Sequence, residues 1–247
     1  IVDFGLIDRA GHAYNYDSQI ARAFVSQGDD VIIYANRRCR FDQVGTVPVV
    51  PWFLISPTAP LSRLRILRPF VKLVANLSRT RAELKRLFPR HPSPDCVFYF
   101  QHVYPYQILA LAFAVPHDLP GRIVIMLRGT AMRTSGRRLA LGPEAILYGW
   151  ALALLKWRAT TAPILVVDSD GLRDEYARLT DLPLHILPIP NPPATTGARA
   201  PRHDTGLCLT YLGRASDETG FRSLPEIMRS TREIGCDVRF VISTFVH

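Results

Sequence analysis

Six short apolar runs constrain this chain more than any other feature. They are "DVIIYAN" (30–36), "TVPVVPWF" (46–53), "DCVFYFQ" (95–101), "RIVIML" (122–127), "PILVVDS" (163–169) and "LHILPIP" (184–190), with "IVDFG" opening the chain. Several are continuous rather than alternating, which is what a strand buried on both faces of a parallel sheet requires. Helical stretches lie between them, over 16–27, 70–88, 106–114, 144–158 and 171–179. Strand and helix in alternation predict βαβ units, hence an α/β fold with a parallel, Rossmann-like sheet. The stretch "PIPNPPATTGARAPRHDTG" (188–206) carries five prolines and no apolar periodicity, so it reads as a linker. After it the rhythm restarts with "LCLTYLG", a loop, a helix and "DVRFVIST". The expected organisation is a first Rossmann-like domain over 1–190, a linker over 191–206, and the first βαβ of a second Rossmann-like domain over 207–247. The 41 residues from Leu207 to His247 are too few for an independent core of this kind, and the chain opens without methionine. Both points suggest a longer parent sequence.

Charge is concentrated rather than spread. Of a net charge of +9, the segment 61–90 holds +8, from Arg63, Arg65, Arg68, Lys72, Arg79, Arg81, Lys85, Arg86 and Arg90 against Glu83 alone. Phe70, Leu73, Leu77, Leu84 and Leu87 approximate an apolar helical stripe beside these cations, a pattern suited to an anionic membrane surface. The other reading is a solvated helix face. No aromatic-interleaved or helix-turn-helix pattern supports nucleic-acid binding. The longest apolar stretch, "AILYGWALALL" (145–155), is too short to span a bilayer and reads as a buried helix begun by Pro143 and Glu144. Cys39, Cys96, Cys208 and Cys236 form no CxxC pair and read as free thiols of a reducing compartment.

Ligands of open α/β sheets bind at the carboxyl ends of the strands. The loop 5–16 sits at such an end; Gly11 would let backbone approach a ligand and His12 could contact it, or both simply form a turn. It is not a GxGxxG fingerprint. Arg128 follows the strand ending at Leu127 and can bind a carboxylate or phosphate; Arg133, Arg137 and Arg138 read as exposed loop charge. Asp168-Ser169-Asp170 could hold a divalent metal, but Asp and Ser before "GLRDEYARL" also make an ordinary N-cap, which is the favoured reading. In "YLGRASDETGFRSLPEIM", Ser223 and Glu226 have capping-box spacing, with Pro225 early in the helix. The loop from Gly213 to Gly220 would then lie beside a helix N-terminus, with Arg214 placed to meet a diphosphate.

Taken together, "IDRAGHAYNYDSQIARAFVSQGDDVIIYA", "VVDSDGLRDEY", "LHILPIPNPP" and "YLGRASDETGFRSLPEI" resemble the retaining GT-B glycosyltransferases, the large family that includes sucrose synthase and many bacterial mannosyl- and glucosyltransferases. The resemblance spans the chain. It implies two Rossmann-like domains facing across a cleft, and transfer of a sugar from a nucleotide-sugar donor to a carbohydrate or lipid-linked acceptor with retention. Cell-surface polysaccharide or glycolipid synthesis is the implied setting, on the cytoplasmic side and peripheral to the membrane. Gly213, Arg214, Glu218 and Gly220 match the motif G-R-x-x-x-E-K-G that opens the family's donor domain; the lysine position is Thr219. Gly213, Arg214, Thr219 and Gly220 are thereby placed at the donor, and Gly11, His12 and Arg128 on the acceptor side. His12 and Arg214 are the implied catalytic pair, and no metal is expected. Two alternatives stand beside this one: a metal-dependent transferase using Asp168 and Asp170, and a non-catalytic scaffold holding an anionic surface through its basic helix.

Overall fold

The computed structural model describes residues 1–9, 12–54, 68–131, 133–135, 138–140, 142–188, 207–214, 221–235 and 238–245. The chain divides into two compact units, Ile1–Pro192 and Pro193–His247. The expected linker, 191–206, lies outside the described residues.

The first unit is built on an eight-stranded, mostly parallel sheet. Its elements in chain order are β1 (Val2–Asp3), α1 (His12–Ser26), β2 (Ile33–Asn36), β3 (Gln43–Val44), β4 (Val47–Phe53), α2 (Arg68–Leu87), β5 (Val97–Gln101), α3 (Pro105–Ala114), β6 (Arg122–Leu127), β7 (Arg133–Ser135), β8 (Arg138–Ala140), α4 (Pro143–Arg158), β9 (Ile164–Val167), α5 (Asp170–Tyr176) and β10 (Leu184–Ile186). The sheet order is β10-β9-β6-β5-β1-β2-β4-β3, and only the edge strand β3 runs antiparallel to its neighbour. Leaving β3 aside, the parallel strands follow the 3-2-1-4-5-6 order of a doubly wound, Rossmann-like sheet, extended by one strand. From β1 the chain steps to one side, through β2 and β4. From β5 it steps to the other, so the order reverses between β1 and β5.

The two directions of travel place helices on both faces, and that is why the strands are continuously apolar. Phe98 and Phe100 of β5, Ile123, Ile125 and Leu127 of β6, and Leu165 and Val167 of β9 share one core with residues of α2, α3, α4 and α5. The alternate residues Tyr99, Met126 and Val166 pack with Tyr16 and Ile20 of α1. Gly121 shows how tightly the strands begin. A Cβ there would stand 2.6 Å from the Cys96 carbonyl oxygen, which accepts the Arg122 N–H. Gly121→Ala should therefore cost about 1–3 kcal/mol, as overpacked interiors do; thermal unfolding of the variant measures it.

Several expectations need correction here. Leu84 and Leu87 of α2 are fully buried in the main core, while Leu73 and Leu77 are only half-buried, so the C-terminal half of that stripe packs against the protein. Helix α4 is not buried all round: Ala145, Tyr148, Ala151, Leu152 and Leu155 point inward, while Ile146, Trp150 and Trp157 are exposed. Arg133 and Arg138 lie in the β7–β8 hairpin, paired Ser135 to Arg138 and Arg133 to Ala140, not in a loop; Arg137 is outside the described residues. Cys39 and Cys96 are half-buried free thiols, each with its pKa raised by burial.

The second unit contains β11 (Leu207–Arg214), α6 (Leu224–Glu233) and β12 (Val238–Phe245), two parallel strands joined through a helix. Gly213 and Arg214 belong to β11, paired with Thr244 and Phe245, rather than to the loop that follows. A 3-10 turn, Phe221–Ser223, leads into α6. It puts Ser223 at φ −80°, ψ −14°, and its side chain makes no capping hydrogen bond. The capping box fails for that reason: a capping serine needs extended backbone to reach the third helical N–H.

Candidate functional site

The carboxyl ends of β1, β5, β6 and β9 lie side by side along one edge of the sheet, because all four run parallel. Asp3 ends β1, Gln101 ends β5 with His102 directly after it, Arg128 follows β6, and Asp168 follows β9. The strand order reverses between β1 and β5, which is the usual ligand position in such sheets.

Beneath α1 the edge is unusually polar for an interior. Asp3 and Gln101 are register partners, so both point to the α1 side, where Tyr16 and Asp17 descend from the helix. Asp3, Asp17 and Gln101 are all buried. The Gly5 N–H donates to Asp3 Oδ1 at 2.6 Å, which favours the charged form of Asp3. Neither end of the Gln101 amide meets a partner within hydrogen-bonding geometry among the described residues, whereas the Asp17 carboxyl faces that of Asp3 and the Tyr16 hydroxyl faces that of Tyr99. Burial raises both carboxyl pKa values. Asp17 stands well above the ordinary range because the charge of Asp3 adds to its desolvation. The pair therefore holds a proton that an exposed pair would release.

Arg128 is the cation of this edge. Its guanidinium carbon stands 4.7 Å from the centre of the Tyr16 ring. Its charge reaches Asp3, Asp17, Tyr99 and His102. Sequence reasoning selected Arg128 for this edge, and that is where it lies.

His102 carries no sequence signal, yet it is the most distinctive residue here. It is the one non-glycine at positive φ among the described residues, at 47°. Such backbone is costly and collects at functional sites. Burial, and then the charge of Arg128, lower its pKa below the usual histidine value, which favours the neutral imidazole. Its ring stacks on Tyr104, with centroids 5.2 Å apart. The supports of this edge come from helices on the opposite face. Tyr148 of α4 donates to the Val103 carbonyl at 3.1 Å. Tyr176 of α5 donates to the Gly129 carbonyl at 2.8 Å. Thr130 donates to the Glu175 carboxylate at 2.8 Å. Behind β1, Asn36 Nδ2 donates to the Phe4 carbonyl at 3.0 Å. The loops carrying His102 and Arg128 are thus held by buried phenols and a carboxylate, which is how rigid sites are preorganised.

The other sequence-selected residues are placed as follows. His12 is the first residue of α1, at the same edge. Gly11, Thr219 and Gly220 lie outside the described residues. Gly213 and Arg214 end β11 in the second unit. Ser169 is the N-cap of α5, accepting the Leu172 N–H at 3.5 Å, and Asp170 pairs with Arg173 at 3.0 Å. Both tie this turn to its own helix. Among the described residues no three His, Cys, Asp or Glu side chains gather as a metal-ligand set. A cavity of about 510 Å³ opens at the opposite, amino-terminal edge of the sheet, beside Tyr34, His91 and Phe98, and contains none of the selected residues.

Compared with protein-family models and with curated proteins, the chain finds no match.

Proposed function

We propose that this chain carries the acceptor-side domain, and the opening βαβ of the donor domain, of a retaining GT-B glycosyltransferase that uses a nucleotide-sugar donor. The observation that carries the reading is the placement of His102, held at positive φ, together with the cation Arg128 on the edge where the strand order reverses, with burial and the charge of Arg128 favouring the neutral imidazole. A neutral imidazole can accept a hydrogen bond from an acceptor hydroxyl, and it excludes a second positive charge from that edge. Arg128 supplies the fixed charge that would orient an anionic group on the acceptor. The parallel β11–α6–β12 unit, with Arg214 at a strand end, suits a diphosphate partner in the second domain. In the reaction the bond from the anomeric carbon to the diphosphate oxygen breaks and one to the acceptor oxygen forms. The hydroxyl proton departs with the diphosphate or to solvent. The residues of this chain bind, orient and exclude water, with electrostatic stabilisation of the leaving diphosphate as their largest task. No metal-dependent step is part of the proposal: Ser169 caps α5, and Asp170 pairs with Arg173 of the same helix.

Arg214→Ala in the full-length protein should weaken nucleotide-sugar binding at least about tenfold, since a hydrogen bond to a charged group contributes roughly 1.5–3 kcal/mol. Thr219→Lys should tighten it. Calorimetric titration of the donor against the parent protein and both variants, with folding checked by circular dichroism, decides the matter. Equal affinity of Arg214→Ala and parent would remove the diphosphate role and with it the transferase reading.

A further inference from the structure

Helix α4 leaves two tryptophans in water. Trp150 is 72% and Trp157 74% exposed, with Ile146 at 50%. Their spacing puts all three on one side of the helix, opposite the buried Ala145, Tyr148, Leu152 and Leu155. Large aromatic surfaces in such a row mark an interaction site rather than ordinary surface composition. Helix α3 packs between α4 and α2 in one layer on the sheet, so the outer faces of all three point the same way, away from the strands. On α3 that outer face shows Phe113, 39% exposed, and Arg81 Nε of α2 donates to the Phe113 carbonyl at 3.3 Å. The exposed cations of α2 are Arg79, Arg81, Lys85 and Arg86, with Arg81 on the flank beside α3 and Arg79 and Arg86 on the flank nearer Glu83. The single acid of α2, Glu83, is buried and accepts the Leu54 N–H, so the outer face of α2 carries no negative charge.

We propose that the outer surface of the α2–α3–α4 layer is an interfacial docking face for anionic lipid. Ile146, Trp150 and Trp157 seat among the headgroups, and the cations of α2 meet lipid phosphates. Tryptophan favours the membrane interface, where its ring body is apolar and its N–H stays wet. Among the described residues no helix is long and apolar enough to cross a bilayer, and a peripheral face needs none. Charge decides between occupants. A second copy docked on this face would set one basic α2 against another, a repulsive pairing. A nucleic acid would satisfy the cations but leave Ile146 and the α4 stripe without use. An anionic bilayer satisfies both the charge and the apolar row. This inference does not rest on sugar transfer, and it moves the apolar anchor from α2, where Leu84 and Leu87 are buried, to α4.

The test is flotation of the full chain with vesicles of phosphatidylcholine alone or mixed with phosphatidylglycerol, at low and high salt. Expected are binding to the mixed vesicles, weakened by salt, and quenching of tryptophan emission by brominated acyl chains. Trp150→Ala with Trp157→Ala should lower partitioning at least about tenfold and abolish quenching, leaving Trp52 as an unquenched internal reference. Arg79→Glu with Arg81→Glu and Arg86→Glu should remove the preference for phosphatidylglycerol. All these positions are exposed, so circular dichroism should be unchanged. Failure of the parent protein to bind mixed vesicles overturns the proposal, as does equal binding by the double tryptophan variant. Conversion of a parent dimer to a monomer by that variant, without vesicle binding, would assign the face to a second copy. Binding of an oligonucleotide in place of vesicles would assign it to nucleic acid.

Discussion

Replacing His102 by glycine should give a more stable protein than replacing it by alanine, and on the proposed function both variants should also be impaired in sugar transfer. Ordinarily the order is the reverse, because glycine has more chain entropy to lose and costs about 0.5–1 kcal/mol relative to alanine. At φ 47° the balance changes. A Cβ in the left-handed region costs roughly 1–2 kcal/mol, and both variants lose the ring stacked on Tyr104 equally. The glycine variant should therefore lead by up to about 1 kcal/mol in denaturant titration. If the neutral imidazole handles the acceptor hydroxyl, turnover should fall about 10²–10⁴-fold in both. Equal stability would mean that the backbone at this position is not strained. Full activity would remove His102 from the reaction while leaving the strain to be explained. Arg128→Gln serves as a companion measurement. Without that positive charge the His102 pKa should rise, because the cation now disfavours the imidazolium; a histidine NMR titration reads the shift.

The second large effect concerns protons held beneath α1. Asp17 is fully buried and its pKa is raised by burial first and by Asp3 second. A carboxyl whose folded pKa exceeds its unfolded value near 3.8 stabilises the fold while protonated. That stability is complete below the unfolded value and is lost as pH rises through the folded one. The parent protein should lose stability as pH climbs out of the ordinary carboxylate range, by at most about 1.4 kcal/mol per pH unit for each proton released. Asp17→Asn removes the titrating group, so its stability curve should be flatter over the same range and lie above the parent's at neutral pH. Urea midpoints at several pH values make the comparison. Parallel curves for the two proteins would show that Asp17 does not titrate in that window.

The sheet was readable because its chemistry is nearly uniform: a strand covered on both faces must be apolar through its middle, and β5 up to Gln101, β6 after Arg122 and all of β9 are. The β7–β8 hairpin was not, since "RTS" and "RLA" contain no such apolar run and read as loop. In α4 the apolar composition hid the periodicity. Grouping Ile146, Trp150 and Trp157 against Tyr148, Leu152 and Leu155 separates an exposed side from a buried one. Arg128 could be placed from its strand end alone. His102 could not, because its distinction is a backbone angle and a neighbouring charge, neither of which is written locally. Asp3 and Asp17 did leave a trace: an acid inside an opening apolar run, and another at an inward helical position beside Tyr16. The capping box at Ser223 misled because the spacing was right while the turn before it, a 3-10 turn, set the wrong backbone.

Strand β1 is only two residues long, yet Val2 is paired with Tyr34 on one side and Phe100 on the other. It is the strand at which the two halves of the winding join. Neither neighbour is local, so β1 has nothing to lean on until the chain has closed both loops, and closing long loops is the slow part of assembling such sheets. The site inherits that schedule. Asp3, Gln101 and Arg128 come into register only when the last halves meet, so binding competence should appear with the final kinetic phase of refolding and never before it.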